Sequence, residues 1–102
     1  MDKNEVISKL KKFAVLVNKE MKPTKIILYG SYARGNWHED SDIDVAVVVG
    51  SIQGDFLDAA TTLFRLGRHI DVRIEPILLE EKHDESGFLE EVVKHGEVIY
   101  SK

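Results

Sequence analysis

The 102-residue sequence contains no cysteine. Disulfides, zinc–thiolate centres and thiol catalysis are therefore excluded. Proline is nearly absent too, occurring only at Pro23 and Pro76, and no low-complexity tract or repeat is visible. Uninterrupted apolar sequence is scarce. No run exceeds Val45–Val49, far short of the roughly 20 residues that a membrane-spanning helix needs. The N-terminal stretch MDKNEVISKLKK is charged and lacks the apolar centre of a signal peptide. Positive charge is also in deficit, with 14 Lys and Arg against 18 Asp and Glu, a net charge of −4. That balance disfavours nonspecific nucleic-acid binding, which runs on excess positive charge. The expectation is a soluble, cytoplasmic protein with no membrane contact and no direct nucleic-acid binding. A hydrophobic content of 43% suffices for one core, so a single domain over residues 1–102 is expected.

Periodicity divides the chain into alternating elements. Val6, Leu10, Phe13, Val17 and Met21 recur at spacings of three and four, which predicts a helix from Asn4 to about Met21. Asp2 or Asn4 can cap it, and Pro23 stops it. Lys25–Tyr29 is short and β-branched and reads as a buried strand ending at Gly30. Ile43–Val49 is almost wholly apolar and reads as a central strand covered on both faces. A helix from Phe56 to Leu66 follows, capped by Asp55 and expected to end at Gly67. His69–Ile74 alternates apolar and polar residues and predicts a third strand, limited by Pro76. A last helix is expected over Asp84–His95, then a short edge strand over Glu97–Tyr100. Strands alternating with helices around one sheet define an α/β or α+β class.

The chemistry concentrates in Gly30-Ser31-Tyr32-Ala33-Arg34-Gly35 and Ser41-Asp42-Ile43-Asp44. Residues i and i+2 of a strand share a face, so Asp42 and Asp44 point the same way at the mouth of an apolar strand. Two carboxylates so placed repel one another unless a cation lies between them. Mg2+ takes oxygen ligands, commonly one or two carboxylates with waters and substrate phosphates. A glycine after a strand lets backbone approach a ligand closely. If a short helix begins at Ser31, its free N–H groups and the Ser31 hydroxyl form an anion site. Asp71 is expected on the polar face of the third strand, where it would join Asp42 and Asp44 and take a proton from an attacking hydroxyl. Arg73 and Glu75 fall on that same face and could pair with it.

Gly30-Ser31, ten intervening residues, Asp42-x-Asp44 and a later strand carboxylate together resemble the nucleotidyltransferase superfamily of the DNA polymerase β type. The details look most like its smallest branch, the minimal nucleotidyltransferases, which often serve as antitoxins to HEPN-type RNase toxins. The resemblance covers residues 24–75 by motif and nearly the whole chain by element order. It implies a small mixed β-sheet flanked by helices, and transfer of a nucleoside monophosphate from an NTP with loss of pyrophosphate. Carried over by position, Gly30 and Ser31 would hold the triphosphate. Asp42 and Asp44 would ligate Mg2+. Asp71 would complete the metal site and activate the acceptor hydroxyl, with Glu75 able to substitute for it or assist. Arg34 suits a phosphate oxygen through its forked donors, or else pairs with a local acid.

The remaining candidates carry less. Tyr32 and Trp37 flank the motif and could stack on a base, although packing or partner contact suits Trp37 better. His38, His69, His83 and His95 form no i, i+4 helical pair, so a histidine metal centre is not expected. Glu80, Glu81, Asp84 and Glu85 read as an exposed acidic loop. The resemblance implies one of three functions: a Mg2+-dependent adenylyltransferase using ATP and modifying a HEPN-type toxin, a non-catalytic antitoxin acting by masking, or a small-molecule nucleotidyltransferase. Intact Ser31, Asp42 and Asp44 favour the first over the second. Little chain follows the third strand, so no separate acceptor domain is expected and the acceptor is expected on another molecule. Homo- or hetero-oligomers remain compatible with the apolar faces.

Overall fold

The computed structural model describes every residue except Glu85, and the part of the acidic loop assigned to Glu85 lies outside the described residues. Eight elements follow in order: α1 (Lys3–Glu20), β1 (Lys25–Tyr29), α2 (Ser31–Arg34), β2 (Ile43–Val49), α3 (Phe56–Ile70), β3 (Ile74–Glu80), α4 (Phe88–His95) and β4 (Glu97–Ser101). The sheet order is β3-β2-β1-β4. β1 runs antiparallel to β2 and β4, whereas β2 and β3 are parallel. This is the expected mixed sheet flanked by helices.

Each helix forms where its apolar stripe demands. Asp2 caps α1 by accepting from the Glu5 N–H, and Val6, Leu10, Phe13, Ala14 and Val17 are buried along one side. They meet Ile26, Leu28, Val45, Val47, Ile74 and Leu78 from the sheet, together with Leu63 of α3. Alternation sends Ile27, Ala46 and Val48 to the opposite face, where Val92 of α4 covers them. Full burial of each Val, Leu, Ile or Phe side chain here contributes about 1.5–3 kcal/mol. The two faces are unequally covered. One carries the 18-residue α1 and the 15-residue α3, the other only the eight-residue α4. The thinner cover leaves room at the strand ends on that side.

Two element boundaries depart from expectation. Helix α3 does not stop at Gly67 but continues to Ile70, and Asp71 is its C-cap rather than a strand residue. The third strand starts at Ile74 and runs through Pro76 to Glu80. Two physical reasons account for this. Leu63, Leu66, Gly67 and Ile70 keep the i, i+3, i+4, i+7 helical spacing and all meet the core. Gly67 is needed inside the helix, because a Cβ there would lie 3.0 Å from Ile74 Cγ2. Pro76 is tolerated because β3 is an edge strand, where a missing N–H removes no ladder bond. Helix α4 is also shorter than expected, beginning at Phe88. Asp84 precedes it and accepts from the N–H groups of Leu89 and Glu90.

Candidate active site

The motif residues gather where β1 ends and β2 begins. Tyr29, the last residue of β1, lies opposite Asp44 in the antiparallel ladder. Gly30 then turns the chain with φ +75° and ψ −151°, a combination that only glycine adopts without strain. Its openness is needed twice over, because a Cβ on Gly30 would fall 2.3 Å from Asp44 Oδ2. Helix α2 begins at Ser31, as one turn closed by bonds from Arg34 N–H to the Gly30 carbonyl and from Gly35 N–H to the Ser31 carbonyl. Arg34 is exposed, and its charge pulls down the pKa of Asp44. Among the described residues no ion pair engages Arg34. Its guanidinium fork is thus available to an anion. Asp42 is exposed, one residue ahead of β2, whereas Asp44 is half-buried within it.

The parallel register sets Glu75 of β3 directly beside Asp44. Asp44, Ala46 and Val48 alternate onto the α4 face, and Glu75, Ile77 and Leu79 share it. The Asp44 carboxyl is held above the usual carboxylate range, first by burial, then by the charges of Asp42 and Glu75, with Arg34 offsetting part of the shift. Asp71 lies elsewhere in this balance. It accepts from Lys9 Nζ at 2.5 Å and from the Arg73 N–H at 2.8 Å. Burial pushes its pKa up, but the Lys9 and Arg73 hydrogen bonds and their charges outweigh that, so the net shift is downward. The groups whose charge acts on Asp44 are Asp42, Glu75 and Arg34. The expected placement of Asp71 on a strand next to the Asp42–Asp44 strand is not met: Asp71 is the C-cap of α3, and β3 begins only at Ile74.

Sequence reasoning gave no role to Tyr29 and Phe88. Their rings meet edge to face at 5.6 Å, and the Tyr29 phenol is raised in pKa by burial, then by Asp44 and Glu75. The cross-strand pairing of Tyr29 with Asp44 is the signal that would have found it. A cavity of about 450 Å3 opens here, bordered by Tyr29, Gly30, Arg34, Phe88 and His95. A larger one, about 760 Å3, lies at the other end of β2 beside Val49 and Thr24, away from the motif carboxylates. Tyr32 is not a base platform. It is fully buried and stacks on Trp37 with ring centroids 5.3 Å apart. His38 sits in the turn before Asp42, where its N–H donates to Ser41 Oγ. His83 lies 3.7 Å from Glu80 and His95 3.4 Å from Glu91.

The donor chemistry fits a hard divalent cation. Asp42, Asp44 and Glu75 offer only carboxylate oxygens, and their mutual repulsion at Asp44 is what a cation would relieve. Among the described residues, no three His, Cys, Asp or Glu side chains are drawn into a finished cation cage. Mg2+ seldom uses one, since waters and substrate phosphates usually fill most of its places.

A four-stranded mixed sheet with a Gly-Ser turn facing an Asp-x-Asp strand defines an enzyme of the nucleotidyltransferase class. The chain belongs to the polymerase β nucleotidyltransferase family, which it matches over residues 9–102. It is 40% identical over 78 residues to a protein of Methanocaldococcus jannaschii provisionally named a protein adenylyltransferase, covering 74% of this chain and 77% of that one. The fold resembles a provisionally named nucleotidyltransferase from Sulfolobus solfataricus, with TM-score 0.72 and 21% identity over 98% of this chain and 84% of that one. It also resembles a chain in the structure of a tri-AMPylated Shewanella oneidensis HEPN toxin in complex with MNT antitoxin. There the TM-score is 0.63 and the identity 23%, over 98% of this chain and 73% of that one. Among the described residues no helix is long and apolar enough to cross a membrane.

Proposed function

We propose that this nucleotidyltransferase moves AMP from ATP to a hydroxyl on a protein partner, a HEPN-type toxin, and acts as its antitoxin. The observation that carries the reading is the close approach of Gly30 to Asp44, a carboxyl raised in pKa by burial and by Asp42 and Glu75 with Arg34 offsetting only part of the shift. The adenylyltransferase relative supports protein as the acceptor class and AMP as the group transferred. The fold's likeness to toxin–antitoxin chains supports the partner.

In this reading Asp42 and Asp44 hold Mg2+, which supplies neutralisation of triphosphate charge when bound. The Ser31 hydroxyl donates to a phosphate oxygen, and Arg34 offers a planar pair of donors to another. The acceptor oxygen attacks the α-phosphorus. The new O–P bond forms as the bond from α-phosphorus to the α–β bridging oxygen breaks, and pyrophosphate leaves. Glu75 takes the hydroxyl proton, because it borders Asp44 on the same face. Glu75 contacts Arg68 at 3.4 Å, but its side chain is 45% exposed and open to an incoming group.

The test is incubation of the chain with α-phosphate-labelled ATP, Mg2+ and a candidate HEPN-type partner. Label on the partner, lost with Asp44→Asn, supports the reading. A stable complex that carries no label overturns transfer in favour of masking.

A further inference from the structure

Asp42 is exposed and belongs to no regular element, yet its distance from Asp44 decides what cation the pair can hold. Something must fix the turn that delivers it. Part of the answer is internal: the His38 N–H donates to Ser41 Oγ at 2.7 Å, and the Ser41 N–H returns to the His38 carbonyl at 3.1 Å. These bonds make residues 38–41 a closed unit, but they do not tie that unit to the sheet.

The tie comes from one residue. Arg73 Nη1 donates to the Glu39 carbonyl at 2.6 Å, inside the closed turn. The Arg73 carbonyl accepts from the Ile43 N–H at 2.8 Å. Asp42 is therefore held on both sides by the same residue, through its side chain at Glu39 and its backbone at Ile43. Arg73 is held in turn by Asp71, which accepts its N–H and lies 3.9 Å from its Nε. Lys9 fixes the other oxygen of Asp71 at 2.5 Å and so connects the set to α1. Asp71 is only 10% exposed, so this linkage is sheltered from the screening that weakens surface pairs. Two residues after Arg73 comes Glu75, so one turn also sets the carboxylate beside Asp44.

We propose that Arg73, anchored by Asp71 and Lys9, is a positioning residue that locks the Asp42 turn onto the start of β3 and thereby sets the spacing of the divalent-cation ligands. The inference rests on the metal-dependent reading above. It explains why Asp71 is spent on Lys9 and Arg73 instead of on the cation. Outer partners of metal ligands typically govern affinity by about 10–100-fold.

The test measures Mn2+ binding to the full chain by loss of the free-ion electron paramagnetic signal, beside the melting temperature. Arg73→Ala is expected to weaken Mn2+ binding about tenfold while the protein remains folded. Arg73→Lys, which keeps a donor within reach of Glu39, is expected to recover most of the loss. A purely structural role lowers the melting temperature but leaves Mn2+ affinity of the folded protein unchanged, and that result overturns the proposal. If Arg73→Ala does not fold, Arg73→Met, which keeps the aliphatic stem but no donor, decides instead: weakened Mn2+ binding supports the lock, and wild-type affinity with a lowered melting temperature overturns it. Wild-type protein that binds no Mn2+ would sink the metal-platform reading itself, and the lock with it.

Discussion

Gly30 and Asp44 approach so closely that one added carbon on Gly30 would lie 2.3 Å from Asp44 Oδ2. The β1–α2 turn and the β2 carboxylate therefore form one fitted pair. Gly30→Ala faces two penalties, the clash and a left-handed φ of +75°. Such backbone strain costs about 1–3 kcal/mol. The relief open to the protein is to swing the Asp44 carboxylate away, and a displacement of about 1 Å at a reacting centre can cost about 100-fold in rate. Gly30→Ala is expected to keep its helical circular dichroism and to lose nucleotidyl transfer by about that factor. Transfer at the wild-type rate would show that Asp44 is not where the chemistry happens.

Asp44 itself should trade stability for function. Its folded-state pKa is raised, so the folded protein holds this proton more tightly than the unfolded chain does. The ionised form thus costs stability as pH rises through the unfolded value of about 3.9, and the full cost is present above the folded value. Burial of this half-exposed carboxyl, with Asp42 and Glu75 adding like charge, is worth no more than about 0.2–1 kcal/mol after solvent screening, and 1 kcal/mol moves the melting temperature of a domain this size by about 4–8 °C. Asp44→Asn is expected to melt a few degrees higher than wild type at neutral pH and to lose transfer. Below about pH 3.9 its advantage should vanish. Melting curves across pH check this, and a less stable Asp44→Asn at neutral pH contradicts it.

Much of this was legible in the residues, and the parts that were not have identifiable causes. β2 is readable because its residues are apolar on both faces, and the central position it takes requires that. α1 is readable because Val6, Leu10, Phe13 and Val17 keep helical spacing and Asp2 offers a cap. The stretch from His69 to Glu75 misleads because Ile70, Val72 and Ile74 satisfy a two-residue period. Ile70 is in fact the last rung of the α3 stripe, Val72 is 66% exposed in the turn, and Ile74 alone belongs to the strand. Gly67 compounds the error, since a packing glycine inside a helix looks like a terminator. The choice between Asp71 and Glu75 depends on strand register, and register becomes visible only once β3 pairs with β2.

Gly96 joins α4 to β4 under tight constraint. A Cβ there would sit 2.5 Å from Ile27 Cγ2, 2.5 Å from the Val92 carbonyl and 2.8 Å from the Leu28 carbonyl. Two of these three atoms are backbone and cannot turn aside. Overpacking of this kind costs about 1–3 kcal/mol. Gly96→Ala is expected to lower the melting temperature by about 4–8 °C for each kcal/mol lost, and to widen the cavity beside Tyr29 as α4 lifts from β1. An unchanged melting temperature would show that α4 seats less closely on the sheet.

The roles of Glu75 and Asp71 separate by experiment, because Asp71 is held between Lys9 and Arg73 whereas Glu75 lies beside Asp44 with Arg68 at its outer edge. Asp71 is a stabilising acid. Its folded pKa is lowered, so its contribution is present above the unfolded value of about 3.9 and fades as pH falls through the folded value. Asp71→Asn keeps an acceptor for the Arg73 N–H but loses the charge that holds Lys9. Hydrogen bonds to charged groups are worth about 1.5–3 kcal/mol, so a loss of that order in urea unfolding at neutral pH is expected, with a modest fall in transfer. Glu75 is partly exposed and belongs to neither core cluster. Glu75→Gln is expected to unfold at nearly the wild-type urea concentration. Removing a positioned general base should slow transfer by about 100–10,000-fold, with acceptor present and nucleotide saturating. The reverse pattern, a folded and inactive Asp71→Asn beside an active Glu75→Gln, would return the third carboxylate's role to Asp71 and require the turn at residues 71–73 to rearrange when nucleotide binds.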